Sequence, residues 1–543
     1  MIKEGLFKRV RNKLALSLDE IDNKARIRKL TETVEANRKP AQGQAVLFFN
    51  ASTRLSRLSL NAAYSRLTAW ALELQGVPVV HFVCHWGLRP CVLGTNRQDE
   101  RLRTPCHTCV LESEILFEGS QTIHFDFSED HVLESVLEGL DIDQLVTFEH
   151  LDVPLGALVL PSVRWILRRH HLKSDEMTLM IYKGYIRSAW SFLQRFEMAL
   201  DELNPRALVV FNGVTYPEGV ARWLAQKRGI RVISHEVGLQ PMSGYFTDGD
   251  ATAYDLDIPS DFTLNESQNA RLDDYLRKRF EGDFFMAGVQ FWPEMSQLSP
   301  EFLEKVRAFK QVVPVFTNVI FDTSQVHANL IFKHMFAWLD NMLEVAKAHP
   351  ETLFVVRAHP DEAREGKASE ESVADWATSR GVENLPNVLF IPPHEFINSY
   401  DLIRMAKFVM IYNSTIGMEA SILGATVLSA GKARYTASNV VHFPSSREAY
   451  DQTLQEFLHA ESLSAPEEHK TNARRFLYYQ LYRSSLVFDA FFEQDKYWKG
   501  YVMLKDFDWQ NLLPENSPTV QTLLEGILSD GDFMLKEDAD DSR

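Results

Sequence analysis

The run Phe408-Val409-Met410-Ile411-Tyr412-Asn413-Ser414-Thr415-Ile416-Gly417-Met418-Glu419-Ala420 passes from apolar residues through a short polar turn into a helix-compatible segment. An apolar stretch bounded by turn chemistry reads as a buried strand, and Ser414 or Thr415 stands where the next helix begins. A strand feeding straight into a helix is half of a βαβ unit and predicts a parallel sheet. The neighbouring sequence repeats the rhythm. Val312-Val313-Pro314-Val315-Phe316, Leu353-Phe354-Val355-Val356 and Val388-Leu389-Phe390-Ile391 come before it, and Thr426-Val427-Leu428 follows.

The first half carries a second series of the same kind. Its runs are Val46-Leu47-Phe48-Phe49, Val77-Pro78-Val79-Val80-His81-Phe82-Val83, Ala207-Leu208-Val209-Val210-Phe211 and Ile230-Arg231-Val232-Ile233. Between roughly 255 and 305 no strand-like run occurs, which places the domain boundary there. A chain of 543 residues also exceeds what a single hydrophobic core holds. The expected class is therefore α/β: two Rossmann-like parallel-sheet domains facing a cleft, with helical extensions at both ends. The expected parts are a helical segment 1–40, a first domain 41–305, a second domain 306–455, helices 456–530 and an acidic tail 531–543. Neither series shows Gly-x-Gly-x-x-Gly after its first strand, which disfavours a dehydrogenase.

In open α/β sheets ligands sit beyond the carboxyl ends of strands. One such end is Arg357-Ala358-His359-Pro360, where a proline-stiffened turn would hold His359 and Arg357 toward a phosphate. The competing reading of His359 is a cap on the next helix. The other end is Asn413-Ser414-Thr415, whose hydroxyls and free amides suit an anion, with Glu419 one turn later to accept from a ribose hydroxyl. Alone, Ser-Thr before a helix is only a cap.

Taken in order, Arg-Ala-His-Pro, then Tyr-Asn-Ser-Thr-x-Gly-x-Glu-Ala, then Leu423-Gly424-Ala425-Thr426-Val427 resembles the C-terminal domain of GT-B capsule polysaccharide biosynthesis glycosyltransferases. Bacterial sialyl-, polysialyl- and Kdo-type transferases are related to these. The resemblance covers residues 312–435 well and the first domain weakly. It implies a nucleotide-sugar donor, CMP-linked in the relatives, with its phosphate on His359 and on Ser414 or Thr415. A glycan or lipid-linked acceptor would lie against the first domain. Polyol-phosphate transfer and nucleotide-sugar epimerisation use similar phosphate devices, and an inactive binding protein of the same shape is the alternative of another class.

A transferase needs a base facing the donor from the first domain. Glu236 is the first choice, His235 the second and Asp248 the third, with Glu218 also beyond a strand end. All four cysteines, Cys84, Cys91, Cys106 and Cys109, fall in one short stretch after the strand at Val77. In a reducing compartment such a cluster suggests a structural zinc site, or less readily an iron–sulfur cluster, with buried or redox thiols as the other reading.

The formal charge of −17 argues against nucleic acid as a partner. No stretch is long and apolar enough to span a membrane and no secretory signal is evident, so a cytoplasmic location is expected. Residues 1–18 place Lys3, Lys8, Arg9, Arg11 and Lys13 opposite Ile2, Leu6, Phe7, Val10 and Leu14. That pattern fits peripheral contact with an anionic inner-membrane face, or a helix docked on its own domain.

Overall fold

The computed structural model describes residues 2–50, 57–97, 104–281, 285–286, 289–290, 296–364, 366–498 and 500–536, with side chains from residue 19 onward. In the first domain helix α1 (Ile2–Asn37) precedes strand β1 (Val46–Asn50), helix α2 (Leu60–Leu74), β2 (Val79–Cys84), α3 (Cys106–Leu116) and β3 (Gln121–Phe125). Helices α4 (Leu155–Leu167) and α5 (Glu176–Leu203), β4 (Ala207–Phe211), α6 (Glu218–Lys227), β5 (Arg231–Val237) and β6 (Ser243–Asp248) follow. Then come α7 (Glu266–Glu281), β7 (Gln311–Phe316), α8 (Met335–Ala348), β8 (Thr352–Arg357), β9 (Val388–Ile391), β10 (Val409–Ile411), α9 (Ile416–Ile422), β11 (Val427–Ser429), α10 (Glu467–Tyr478), β12 (Leu486–Val487) and α11 (Pro518–Leu528).

The first sheet has the order β12-β6-β5-β4-β1-β2-β3 and the second β9-β8-β7-β10-β11. β1 to β5 pair in parallel, and so do all five strands of the second sheet. Each sheet thus reads outward in both directions from its first strand, the Rossmann order, with a reversal between β1 and β4 and again between β7 and β10. Two such domains with their carboxyl ends turned to one cleft are the GT-B arrangement, as expected from the sequence.

The strands read as unbroken apolar runs because both faces are covered. In β1, Leu47 and Phe49 enter the core formed with α4, α5 and α6, while Val46 and Phe48 face α2 and the C-terminal segment. In the second sheet Val313, Phe354 and Met410 pack under α8, and Val312, Leu353 and Val409 pack on the opposite side with Ala473, Phe476 and Leu477 of α10. Leu272 and Leu276 of α7 lie in that same core, so the packing of the second domain begins ahead of residue 306.

β6 and β12 are antiparallel additions at the edge of the first sheet. β12 comes after α10, so the chain returns from the second domain to complete the first. Val520, Leu523 and Ile527 of α11 then close the face that α2 shares. At the other terminus Ile27, Leu30 and Val34 dock α1 on that same core. The side chains of residues 1–18, on which the membrane-contact reading falls, and the acidic residues 537–541 lie outside the described set. Among the described residues no helix is long and apolar enough to cross a membrane.

Candidate functional site

A cavity of about 300 Å³ opens where the carboxyl ends of β2, β4 and β5 meet the second domain. Cys84, Phe211, Asn212, Glu218 and Glu236 line it from the first domain, and Thr323 and Lys367 reach it from loops after β7 and β8. Its lining is mostly apolar, with Trp86, Trp165, Val92 and Val110 among its walls.

Three of the acid/base candidates separate clearly in space. Glu236 is in the cavity wall, and Asn212 Nδ2 donates to its Oε2 at 2.8 Å. Asn212 is itself held in the left-handed region (φ 62°), with its Oδ1 accepting from the amides of Val214 and Thr215. The turn therefore fixes the group that aims the carboxylate.

His235, one residue earlier on β5, points to the opposite face of the sheet. It is 2% exposed, packed against Tyr64 and Phe246, and burial pushes its pKa down to about 3. Alternation along a strand makes this unavoidable once Glu236 faces the cleft. Asp248 pairs with Ile233 across β5 and β6, away from the carboxyl end of β5, and accepts from Arg231 Nε at 2.7 Å. It is an edge ion pair.

In the second domain His359 opens a one-turn 3₁₀ segment, Pro360–Ala363, and its Nδ1 accepts from the Asp361 amide at 3.1 Å. Burial lowers its pKa, with Asp361 and Asp322 acting in the other direction. A neutral ring whose Nδ1 is an acceptor carries its proton on Nε2, where it is a donor. The helix-capping reading and the donor reading are thus two ends of one imidazole. Arg357 turns inward instead: its Nη1 donates to the carbonyls of Ala358 and Pro392, both at 2.9 Å, and burial lowers its pKa to about 10.

Asn413 Oδ1 accepts from Gln325 at 3.0 Å and its Nδ2 donates to the Ser324 carbonyl at 3.3 Å. Ser414 is buried, its carbonyl accepting from the Tyr435 hydroxyl, and Thr415 is exposed at the start of α9. The His359 and Asn413-Ser414 ends straddle β7, and both meet the loop that follows it, through Asp322 in one case and Ser324 and Gln325 in the other. Glu419 does not face a ligand. It is 3% exposed, ion-paired with Arg279 at 2.5 Å, and accepts from the Tyr400 hydroxyl at 2.8 Å. Its job is to hold α7 to α9.

Residues 296–477, which hold the second sheet and both of these strand ends, match the family described as capsule polysaccharide biosynthesis protein. The match covers about a third of the chain and agrees with the resemblance drawn from the motifs, while the two facing Rossmann sheets are those of the GT-B fold.

Two solved structures similar to this chain are KpsC transferase domains from Thermosulfurimonas dismutans. The beta Kdo 2,4 transferase has 13% identity over 51% of this chain and 80% of its own, with a TM-score of 0.34. The beta Kdo 2,7 transferase has 14% identity over 62% and 90%, with a TM-score of 0.31. The UDP-GlcNAc 2-epimerase of Neisseria meningitidis, bound to UDP-GlcNAc, has 14% identity over 80% and 97%, with a TM-score of 0.25. No curated protein matches the sequence.

Across the cleft from the second domain, Cys84, Cys91, Cys106 and Cys109 all line the cavity. Among the described residues no three His, Cys, Asp or Glu side chains gather as metal ligands, so the expected zinc or iron–sulfur site is not shown. Burial also raises Cys84 to about 12 and Cys91 to about 11, and Cys91 Sγ accepts from the Gly94 amide at 3.2 Å. Cys84 and Cys91, so placed, stay protonated and serve as apolar wall.

Sequence reasoning missed Trp165, Thr323 and Lys367. None stands in a motif, and only the folding of two domains against each other brings them to the cavity.

Proposed function

We propose that the chain transfers a sugar from a nucleotide-sugar donor, held by the capsule-synthesis domain, to a hydroxyl of a glycan or lipid-linked acceptor seated against the first domain. Glu236 is the base. One observation carries this reading: a carboxylate at the end of β5, aimed by Asn212, forms the wall of a cavity that Thr323 and Lys367 of the second domain also reach.

In the reaction the acceptor oxygen forms a bond to the anomeric carbon while the bond from that carbon to the donor phosphate breaks. The acceptor proton passes to Glu236, and the electron pair leaves with the phosphate. Charge developing there is met by His359 Nε2–H and by the hydroxyl of Ser414 or Thr415, donors fixed before the charge develops. A CMP-linked donor is the first to try, on the strength of the motif resemblance. The five basic residues Lys3, Lys8, Arg9, Arg11 and Lys13 support work in the cytoplasm at the inner membrane face.

The test has two arms. Thermal stabilisation by CMP, CDP, UDP and GDP should single out one nucleotide, and His359→Ala should abolish that shift. With the donor so named, Glu236→Gln should keep nucleotide binding and lose roughly 10²- to 10⁴-fold in transfer rate. Full turnover in Glu236→Gln, or no stabilisation by any nucleotide, sinks the proposal. Product formation from donor alone marks an epimerase, and transfer of the phosphate with the polyol marks the other relative.

A further inference from the structure

Arg168 is a buried cation with which no carboxylate among the described residues pairs. It follows α4 in the left-handed region (φ 57°) and is 6% exposed. Its guanidinium carbon lies 4.2 Å from the centre of the Trp165 ring and 5.1 Å from that of Phe321, one ring from each domain. Among the described residues its Nε and Nη1 have no hydrogen-bond partner.

The charges around it repel it. Arg97 and Lys367 are both within electrostatic reach of Arg168. Glu370 is turned toward Arg97 at 3.5 Å and gives Arg168 only its amide, which donates to the Arg168 carbonyl at 2.9 Å. Asp322 and Asp361 act on Lys367. Lys367 and Trp165 both line the cavity that holds Glu236.

Burying a guanidinium with its donors unpaired is costly, and adding like charges makes it more so. Such an arrangement gains most from a planar oxyanion that accepts from the guanidinium fork and neutralises its neighbours. We propose that Arg168, with Arg97 and Lys367, forms a subsite at the edge of the cavity for an oxyanion of the substrate, a carboxylate or a phosphate. Calling the anion a substrate's rests on the transferase reading, whereas its binding does not.

The test uses the full chain at constant ionic strength with four probes: glucuronate, inorganic phosphate, CMP and, as the neutral control, glucose. Calorimetric affinity should be measurable for at least one anion and absent for glucose. Arg168→Gln should weaken that anion by about tenfold or more, the scale of a lost charge-assisted hydrogen bond. Lys367→Gln acts from a different domain and loop, and should weaken it too, so a folding defect at Arg168 does not decide the matter.

Binding of glucuronate alone identifies a sugar carboxylate, and binding of phosphate and CMP identifies the donor. Equal binding of glucose and glucuronate, or unchanged anion affinity in both variants, overturns the subsite. Arg168-dependent anion binding in a chain that transfers no sugar keeps the subsite and fails the transferase reading.

Discussion

Replacing Arg279 by Met would leave the Glu419 carboxylate buried beside Tyr400 with its cation gone. Removing one partner of a buried pair costs about 3–5 kcal/mol, so denaturant unfolding of this variant should show a loss of that size. A variant within experimental error of the parent contradicts the assigned role. Glu362 supplies a pH test. It is 3% exposed, accepts from the Val373 amide, and burial raises its pKa to about 8 from 4.5. Because the folded state holds this proton more tightly, stability is fully present below pH 4.5 and declines as pH rises through 8. Glu362→Gln should flatten that decline in melts taken across the range. Side chains of this sort are hard to read from sequence. Glu236 and His235 are adjacent, both beyond a strand's apolar centre, and only the phase of β5 decides which one meets the cleft. Both faces of that strand are buried, so the usual polar alternation that would reveal the phase is missing.

At the scale of elements the sequence was a good guide wherever burial is two-sided. The apolar runs at 46–49, 207–211, 312–316 and 353–356 all became parallel strands. β6 and β12 escaped notice. Ser243-Gly244-Tyr245-Phe246-Thr247-Asp248 mixes polar and apolar residues as an edge strand does, and β12 has two residues, too few for any period to show. Pro314, which argues against a central strand, is accommodated because β10 pairs with β7 only at Val315 and Phe316. α11 makes the plainest energetic prediction. Val520, Leu523 and Ile527 are fully buried at helical spacing against the α2 face. Leu523→Ala should cost about 2–5 kcal/mol, a transfer loss plus a cavity, read from the shift in the chemical unfolding midpoint. A cost under about 1 kcal/mol would mean α11 is not part of the core.

For the whole molecule the contacts across the cleft include polar ones beside the packing of Trp165 on the second-domain core. His171 Nδ1 lies 2.5 Å from Glu371, and Glu371 also accepts from the amides of His170 and His171. His334, 3.3 Å from His171, and Arg164 are the other charged neighbours. Glu371 raises the His171 pKa above 6.5. The pairing therefore strengthens docking below pH 6.5 and fades as pH climbs past the raised value. Protection factors of the amides at 366–371, which correct exchange for its intrinsic base-catalysed rise with pH, should be higher at pH 6 than at pH 8, and His171→Gln should remove the difference. Identical protection at both pH values in the parent chain would rule this out. None of these contacts could be read from the sequence, since their partners stand far apart along it.

The return of β12 and α11 to the first sheet has a consequence for how the chain is made. A ribosome releases residues in order, and the face of the first sheet that bears Val46 and Phe48 has only α1 and α2 over it until residues 488–527 emerge. The second domain, translated in between, has most of its core on hand sooner. The nascent amino-terminal half must therefore wait with a greasy surface open to solvent, and that interval is when holding chaperones would have most to do.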